Sequence, residues 1–235
     1  MVEADSARTL LTFGGLTVGV GLLAGLLRRG LQRLARAFAV YVLAVMVFTV
    51  LITAWPGRFY QLDFYVFKEC VYSLLILAIT AELGYLIFQP FPGARVRARW
   101  SLTVGLLGLT AWLATVPLAG ASASLMAQEV LPRLSNGTAL LLAGLWALVL
   151  WFNIPLHPLH QAILRGLVPY LLVFTVLLSV LRAVGWDVRP VVSVLDSVAY
   201  LVVSIYWAWV AWTAPLRPDA DADVVRVIQP WLERD

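Results

Sequence analysis

The chain has 235 residues, 62% of them hydrophobic and only 13% charged, where a soluble domain carries about 25% charged residues. The apolar excess falls in blocks of about 18–25 residues, long enough to cross a bilayer as helices, and this excludes a sizeable soluble domain. The net charge of +4 comes from sixteen arginines and one lysine against thirteen acids; the arginines are scattered over short loops, without the basic patch that nucleic-acid binding requires.

Seven apolar blocks are expected to be membrane helices, at about residues 10–27, 37–55, 64–88, 101–119, 137–154, 160–182 and 190–213. Short strands of alternating polarity, the mark of a membrane barrel, are not visible. The expected class is therefore all-α: a polytopic seven-transmembrane-helix bundle over residues 1–213, followed by a short tail over 214–235. Between the blocks lie "RRGLQRLAR", "PGRFYQLD", "QPFPGARVRAR", "SNG", "PLHPLH" and "VGWDVRP", whose Pro and Gly residues mark turns. The lone cysteine, Cys70, excludes an internal disulfide and a Cys-based metal cluster.

Arginine asymmetry sets the expected direction. Arg28, Arg29, Arg33, Arg36, Arg95, Arg97, Arg99, Arg165, Arg217, Arg226 and Arg234 fall on one side, and Arg8, Arg58, Arg133, Arg182 and Arg189 on the other. The N-terminus is then outside and the C-terminus cytoplasmic. The arginine, alanine and glycine bias suggests a GC-rich bacterial genome, hence a multi-pass protein of the bacterial cytoplasmic (inner) membrane. The first block has its positive charge after the apolar run, the reverse of a signal peptide, and reads as an N-out anchor. Its glycines, Gly15, Gly19, Gly21 and Gly25, have the small-xxx-small spacing of close helix packing. Packing within the bundle is the first reading, and a homo-oligomer contact the second. Trp55, Phe59, Tyr60, Trp100 and Trp212 collect near span ends, as an interfacial aromatic belt does.

The third block holds the only lysine, in "FYVFKECVY". At 100° per residue, Tyr65, Lys68, Tyr72 and Glu82 share one face, with Glu69 a quarter turn aside. The seventh block carries a stripe of Ser193, Asp196, Tyr200 and Trp207, with Ser204 at its margin. Lys68 and Asp196 lie at nearly the same depth from one side. A charge left unpaired in the membrane costs at least about 2.5–3.5 kcal/mol, so Lys68 is expected to pair with Asp196 or Glu69. Lys68, Glu69, Asp196, Tyr72 and Tyr200 are the candidate binding site or intramembrane ion pair. A structural pin, a ligand or solute pocket open to the outside, and a lysine snorkelling to the interface are the three readings.

Glu82, Asn153, His157 and His160 form an expected polar cluster on the inner side. "HPLH" puts two histidines three apart, but metal or haem ligation needs further ligands, and no HExxH motif appears. No metal or cofactor is expected. In the tail, Val224, Val227, Ile228 and Trp231 follow a helical apolar spacing behind Asp223, as in an amphipathic foot for a membrane surface or a partner.

Two known families of this size do not fit. Microbial rhodopsins carry an Asp-x-x-x-Lys retinal site in the last helix, and here the matching stretch is Asp196-Ser-Val-Ala-Tyr200. Small sugar transporters need paired triple-helix repeats with Pro-Gln motifs. The stretch "FYVFKECVYSLLILAITAELGYLIFQPFPG" resembles the third span of uncharacterised seven-helix bacterial membrane proteins, through Glu69, Glu82, Ile87, Phe88 and the Pro92-Gly93 turn. The resemblance implies the architecture and no activity. Phosphate loops, nucleophile elbows and metal–base pairs are missing, so no enzyme is expected. The expected function is binding, as an accessory subunit of a membrane complex or a receptor-like sensor without its own output domain. Its partners are the bilayer and a membrane protein or a second copy. The alternative is a small-solute or ion transporter using the intramembrane charges.

Overall fold

The computed structural model describes residues 2–89, 92–116, 125–185 and 188–215. Among these residues there are helices and no strand. Seven long helices follow one another: α1 (Val2–Arg28), α2 (Arg36–Ala54), α3 (Leu62–Phe88), α4 (Pro92–Ala114), α5 (Leu131–Trp151), α6 (Pro158–Val184) and α7 (Arg189–Thr213). One-turn pieces at Leu31–Arg33 and Pro56–Phe59 and a π-helical turn at Met126–Val130 join them.

Six helices, all but α4, are long and apolar enough to cross a membrane. Exposed leucines, valines and phenylalanines such as Leu10, Leu43, Leu74, Leu140, Leu172 and Val202 cover their outer faces. A bundle whose backbone polar groups are all paired within helices is the build that lipid demands, and this is the build of a multi-pass membrane protein. The apolar part of α4 is Trp100–Ala114, about 22 Å at 1.5 Å per residue, short of a hydrocarbon core of about 30 Å. The expected end of the fourth span at 119 lies outside the described residues, as does the expected tail helix around Val224, Val227, Ile228 and Trp231.

Three helices start well before the sequence reading: α1 at Val2 rather than near 10, α4 at Pro92 rather than 101, and α5 at Leu131 rather than 137. Arg95, Arg97 and Arg99 lie on the first turns of α4, not in a loop. The "SNG" stretch is inside α5, which begins at Leu131 with Pro132 in its first turn, a position that suits a residue without an N–H. Gly137 is there for packing: a Cβ on it would overlap Leu109 of α4. Gly84 of α3 meets Leu102, and Gly105 of α4 meets Leu141, in the same way. Three glycine–leucine contacts thus let α4 lie close against α3 and α5.

The other six helices close a ring in the order α1, α2, α3, α5, α6, α7 and back to α1, with α4 outside it against α3 and α5. Within α1 the glycine stripe divides its work. Gly19 faces Met46 of α2, Gly25 lies under the Trp212 ring of α7, and Gly15 and Gly21 have open space where a Cβ would stand.

The bundle is unevenly filled. Leu26, Phe38, Leu83, Leu145, Ile163 and Trp207 are fully buried and belong to the half where α1 and α3 end and α2 and α6 begin. Trp207 sits edge-on to Phe38 at 5.0 Å and donates to the Ala162 carbonyl at 3.0 Å. Gly166 of α6 makes room for its indole. The opposite half contains two cavities.

Candidate functional site

The larger cavity, of about 170 Å³, lies among five helices. Helix α3 supplies Lys68, Glu69, Tyr72 and Ser73, and α7 supplies Asp196, Ser197 and Tyr200. Tyr41 comes from α2, Ser135 from α5 and Tyr170 from α6. All five residues expected from the sequence as a binding site or ion pair therefore line one cavity.

Their pairing is specific. Lys68 Nζ lies 2.8 Å from Glu69 Oε1, each side chain 18% exposed. The same ammonium sits 5.2 Å from the Tyr65 ring centroid and 5.3 Å from that of Tyr72, within cation–π range. Lysine is thus held by its own helix, through a carboxylate and two aromatic faces. Asp196 lies across the cavity. Its Oδ1 accepts a hydrogen bond from the Tyr170 hydroxyl at 3.2 Å, and no cation of the described residues reaches salt-bridge distance of it. Of the two partners considered for Lys68, the geometry selects Glu69.

Aromatic rings complete the walls. Tyr170 and Tyr200 meet edge to face at 5.4 Å, and Tyr41 and Tyr72 do so at 6.0 Å. A second cavity of about 140 Å³ lies between α1, α2 and α7 and shares Val45, Ser197 and Tyr200 with the first. Tyr200 and Ser197 therefore stand in the partition between the two.

The inner-side residues have separate hydrogen-bond partners. Glu82 caps α2: its Oε1 accepts the Arg36 N–H at 2.9 Å and its Oε2 the Ala37 N–H at 2.8 Å. Helix α2 has no side-chain cap of its own, because Ala35 stands at its N-cap. A carboxylate also suits the positive end of a helix dipole. His160 Nε2 lies 2.9 Å from the Leu34 carbonyl. His157 caps its own helix, its Nδ1 accepting the Leu159 N–H at 3.1 Å. The two imidazoles lie 5.7 Å apart. Asn153 takes a left-handed conformation, φ 48°, just past the end of α5, where asparagine is one of the few side chains that tolerate it. Arg29 does the matching task at the C-terminus of α7, donating to the Ala211 carbonyl at 3.0 Å and to the Ala214 carbonyl.

Burial holds the pKa of His157 below its ordinary value, with proximity to His160 adding to the effect. The Pro215 carbonyl works the other way, although Nε2 has no partner in hydrogen-bond geometry among the described residues. Those residues contain no group of three or more His, Cys, Asp or Glu placed to hold a metal ion.

Tyr41, Tyr170, Ser73, Ser135 and Ser197 were not visible as site residues in the charge pattern. Their signal is a tyrosine or serine hydroxyl inside an apolar run, with no charge beside it. Compared with protein-family models, with curated proteins and with solved structures, the chain matches none.

Proposed function

We propose that this is a seven-span protein of a bacterial cytoplasmic membrane, with its N-terminus outside, that acts by binding and not by catalysis. In this reading it is an accessory subunit of a larger membrane complex or a receptor-like sensor whose output is carried by another chain. The observation that carries the reading is the cavity joining Lys68, Glu69 and Asp196 with four tyrosines from four helices. Buried ionisable groups in a membrane bundle mark functional sites by default, and a preformed concavity with a few convergent polar groups is the usual form of a ligand site. The arginine distribution supports the direction: Arg28, Arg29, Arg33, Arg36 and Arg165 share one end of the bundle, which positive-inside bias assigns to the cytoplasm. The cavity then belongs to the outer half.

A second reading, a small-solute or ion transporter, draws on the second cavity behind Tyr200, which extends the first sideways toward α1. Transporters of this kind commonly use discontinuous helices at the site. Pro169 lies inside α6, which nevertheless runs unbroken from Pro158 to Val184.

The test is the composition of the particle extracted from native membranes in mild detergent, for the natural chain and for Ser135→Leu, which fills the cavity. Defined companions that dissociate or rearrange in the variant support a sensor or accessory role. A lone particle, with solute uptake in vesicles that is lost in the variant, moves the assignment to transport. A variant without effect on either removes the cavity from the function.

A further inference from the structure

We infer that the cavity is a site for a small organic ammonium, with Asp196 as its counter-ion; this rests on the binding role proposed above. The charges in its lining are one lysine and two carboxylates. Lys68 and Glu69 neutralise each other at 2.8 Å, which leaves the Asp196 carboxylate as the unmatched charge. A carboxylate offers about four lone-pair sites, and among the described residues Asp196 is engaged by a single neutral donor, the Tyr170 hydroxyl. The Tyr170 and Tyr200 rings meet edge to face beside it. A carboxylate flanked by tyrosine rings is the environment that recognises ammonium groups.

The molecule contains a worked instance of the same chemistry. Lys68 Nζ rests between a carboxylate and two tyrosine rings. Across the cavity stand a carboxylate and two tyrosine rings without the ammonium. The cavity volume of about 170 Å³ corresponds to roughly five or six waters at about 30 Å³ each. A bare alkali ion would leave most of that space filled with water, whereas a small alkylammonium fills it. Ser135 and Ser197 offer hydroxyls to a polar group at the far end of such a ligand.

The experiment uses the full-length protein in mild detergent, in an amine-free buffer at constant ionic strength. Thermal unfolding is followed while choline or ethanolamine is added to about 50 mM, enough to fill a millimolar site. The controls are 3,3-dimethyl-1-butanol, the neutral isostere of choline, and sodium chloride. The expected result is a saturable rise in Tm with at least one of the ammonium compounds and none with the controls. In Asp196→Asn the apparent affinity falls at least tenfold. Because that variant can fail to fold, Ser135→Leu serves as a second: it leaves every charge in place and abolishes the shift by occupying the space. An equal shift with the neutral isostere, an Asp196→Asn affinity within about twofold of the natural one, or no shift with either ammonium compound each overturns the ammonium assignment. If the neutral isostere gives a saturable shift that Ser135→Leu abolishes, the cavity still binds a ligand and the broader binding role stands. If only sodium gives the shift, the site takes an alkali ion and the organic ammonium is wrong.

Discussion

The two halves of this bundle treat buried polar groups in opposite ways. At the arginine-rich end, four polar side chains are engaged with backbone. Glu82 takes the first two N–H groups of α2, His160 meets the Leu34 carbonyl, His157 takes the Leu159 N–H, and Arg29 closes the end of α7. At the opposite end, side chains meet side chains around open space: Lys68 with Glu69, Tyr170 with Asp196, tyrosine with tyrosine. The first pattern fixes where helices start and stop. The second leaves lone pairs and volume available to something that is not part of the chain. Buried charge alone therefore does not mark a site in a membrane bundle; what matters is whether its partner is the backbone, which is always present, or a cavity.

Breaking the capped half should produce the largest effect. Replacing Glu82 by Ala leaves the Arg36 and Ala37 amides of α2 without their acceptor. Hydrogen bonds to a charged group contribute about 1.5–3 kcal/mol and a helix cap about 1 kcal/mol, so a loss of about 2–3 kcal/mol is expected. Thermal unfolding followed by the native tryptophans measures it, and Glu82→Gln, which keeps one good acceptor, should recover part. A Tm unchanged in Glu82→Ala would mean that α2 is capped by something else.

The next effect comes from packing in the same half. Gly166→Ala puts a methyl group against the Trp207 indole and within 2.9 Å of Val203, which forces Trp207 off the Ala162 carbonyl. Overpacking of this kind costs about 1–3 kcal/mol. Gly15→Ala is the matched control, since a Cβ there meets nothing within 4 Å, and it should leave the Tm within the range of an ordinary surface substitution. If both alanines behave alike, the tight-core, open-cavity contrast between the halves is wrong.

The fold was legible in the sequence because length and apolarity decide it. The bounds of α2 and α7 fall within a residue of the expected spans, 36–54 against 37–55 and 189–213 against 190–213. The start of α5 was missed by six residues because Asn136-Gly137 reads as a turn, whereas Gly137 serves a contact with Leu109 that no local pattern reveals. The site was half legible. Helical spacing puts Lys68, Tyr72, Asp196 and Tyr200 on their faces and Glu69 a quarter turn aside, but it does not choose between Asp196 and Glu69 as the partner of Lys68. Neighbouring residues do not face each other on a helix, yet the flexible four-carbon stem of lysine reaches the adjacent carboxylate. Glu82 reads in the sequence only as a neighbour of the histidines, since its hydrogen-bond partners are main-chain amides of another helix, and a sequence does not print those. The available clue was Ala35: a helix that starts on alanine needs an acceptor from elsewhere.

A smaller effect sharpens the contrast inside the cavity. A double-mutant cycle on Lys68→Met and Glu69→Gln should give a coupling of about 1 kcal/mol, modest because both groups are partly exposed. The cycle of Lys68→Met with Asp196→Asn should give less than about 0.5 kcal/mol, since the two are not in contact. Stronger coupling to Asp196 than to Glu69 would replace the pairing described above and remove the unmatched carboxylate on which the ammonium site depends.

The smallest expected effect concerns pH and the capped half. His157 must keep Nδ1 unprotonated to accept the Leu159 N–H, and burial together with His160 lowers its pKa in the folded state. An unfolded histidine takes its proton near pH 6.5, before the folded one does. The contribution of His157 is therefore fully present above about pH 6.5 and is lost as the pH falls through the lower folded value. The Tm should decline as the pH falls below about 7 for this reason, over and above what the carboxylates contribute. His157→Asn keeps an oxygen to cap Leu159 and cannot titrate in this range, so its decline should be shallower. If the slopes coincide, the Nδ1 cap adds nothing measurable to stability, because an imidazolium has no lone pair left to accept the Leu159 N–H.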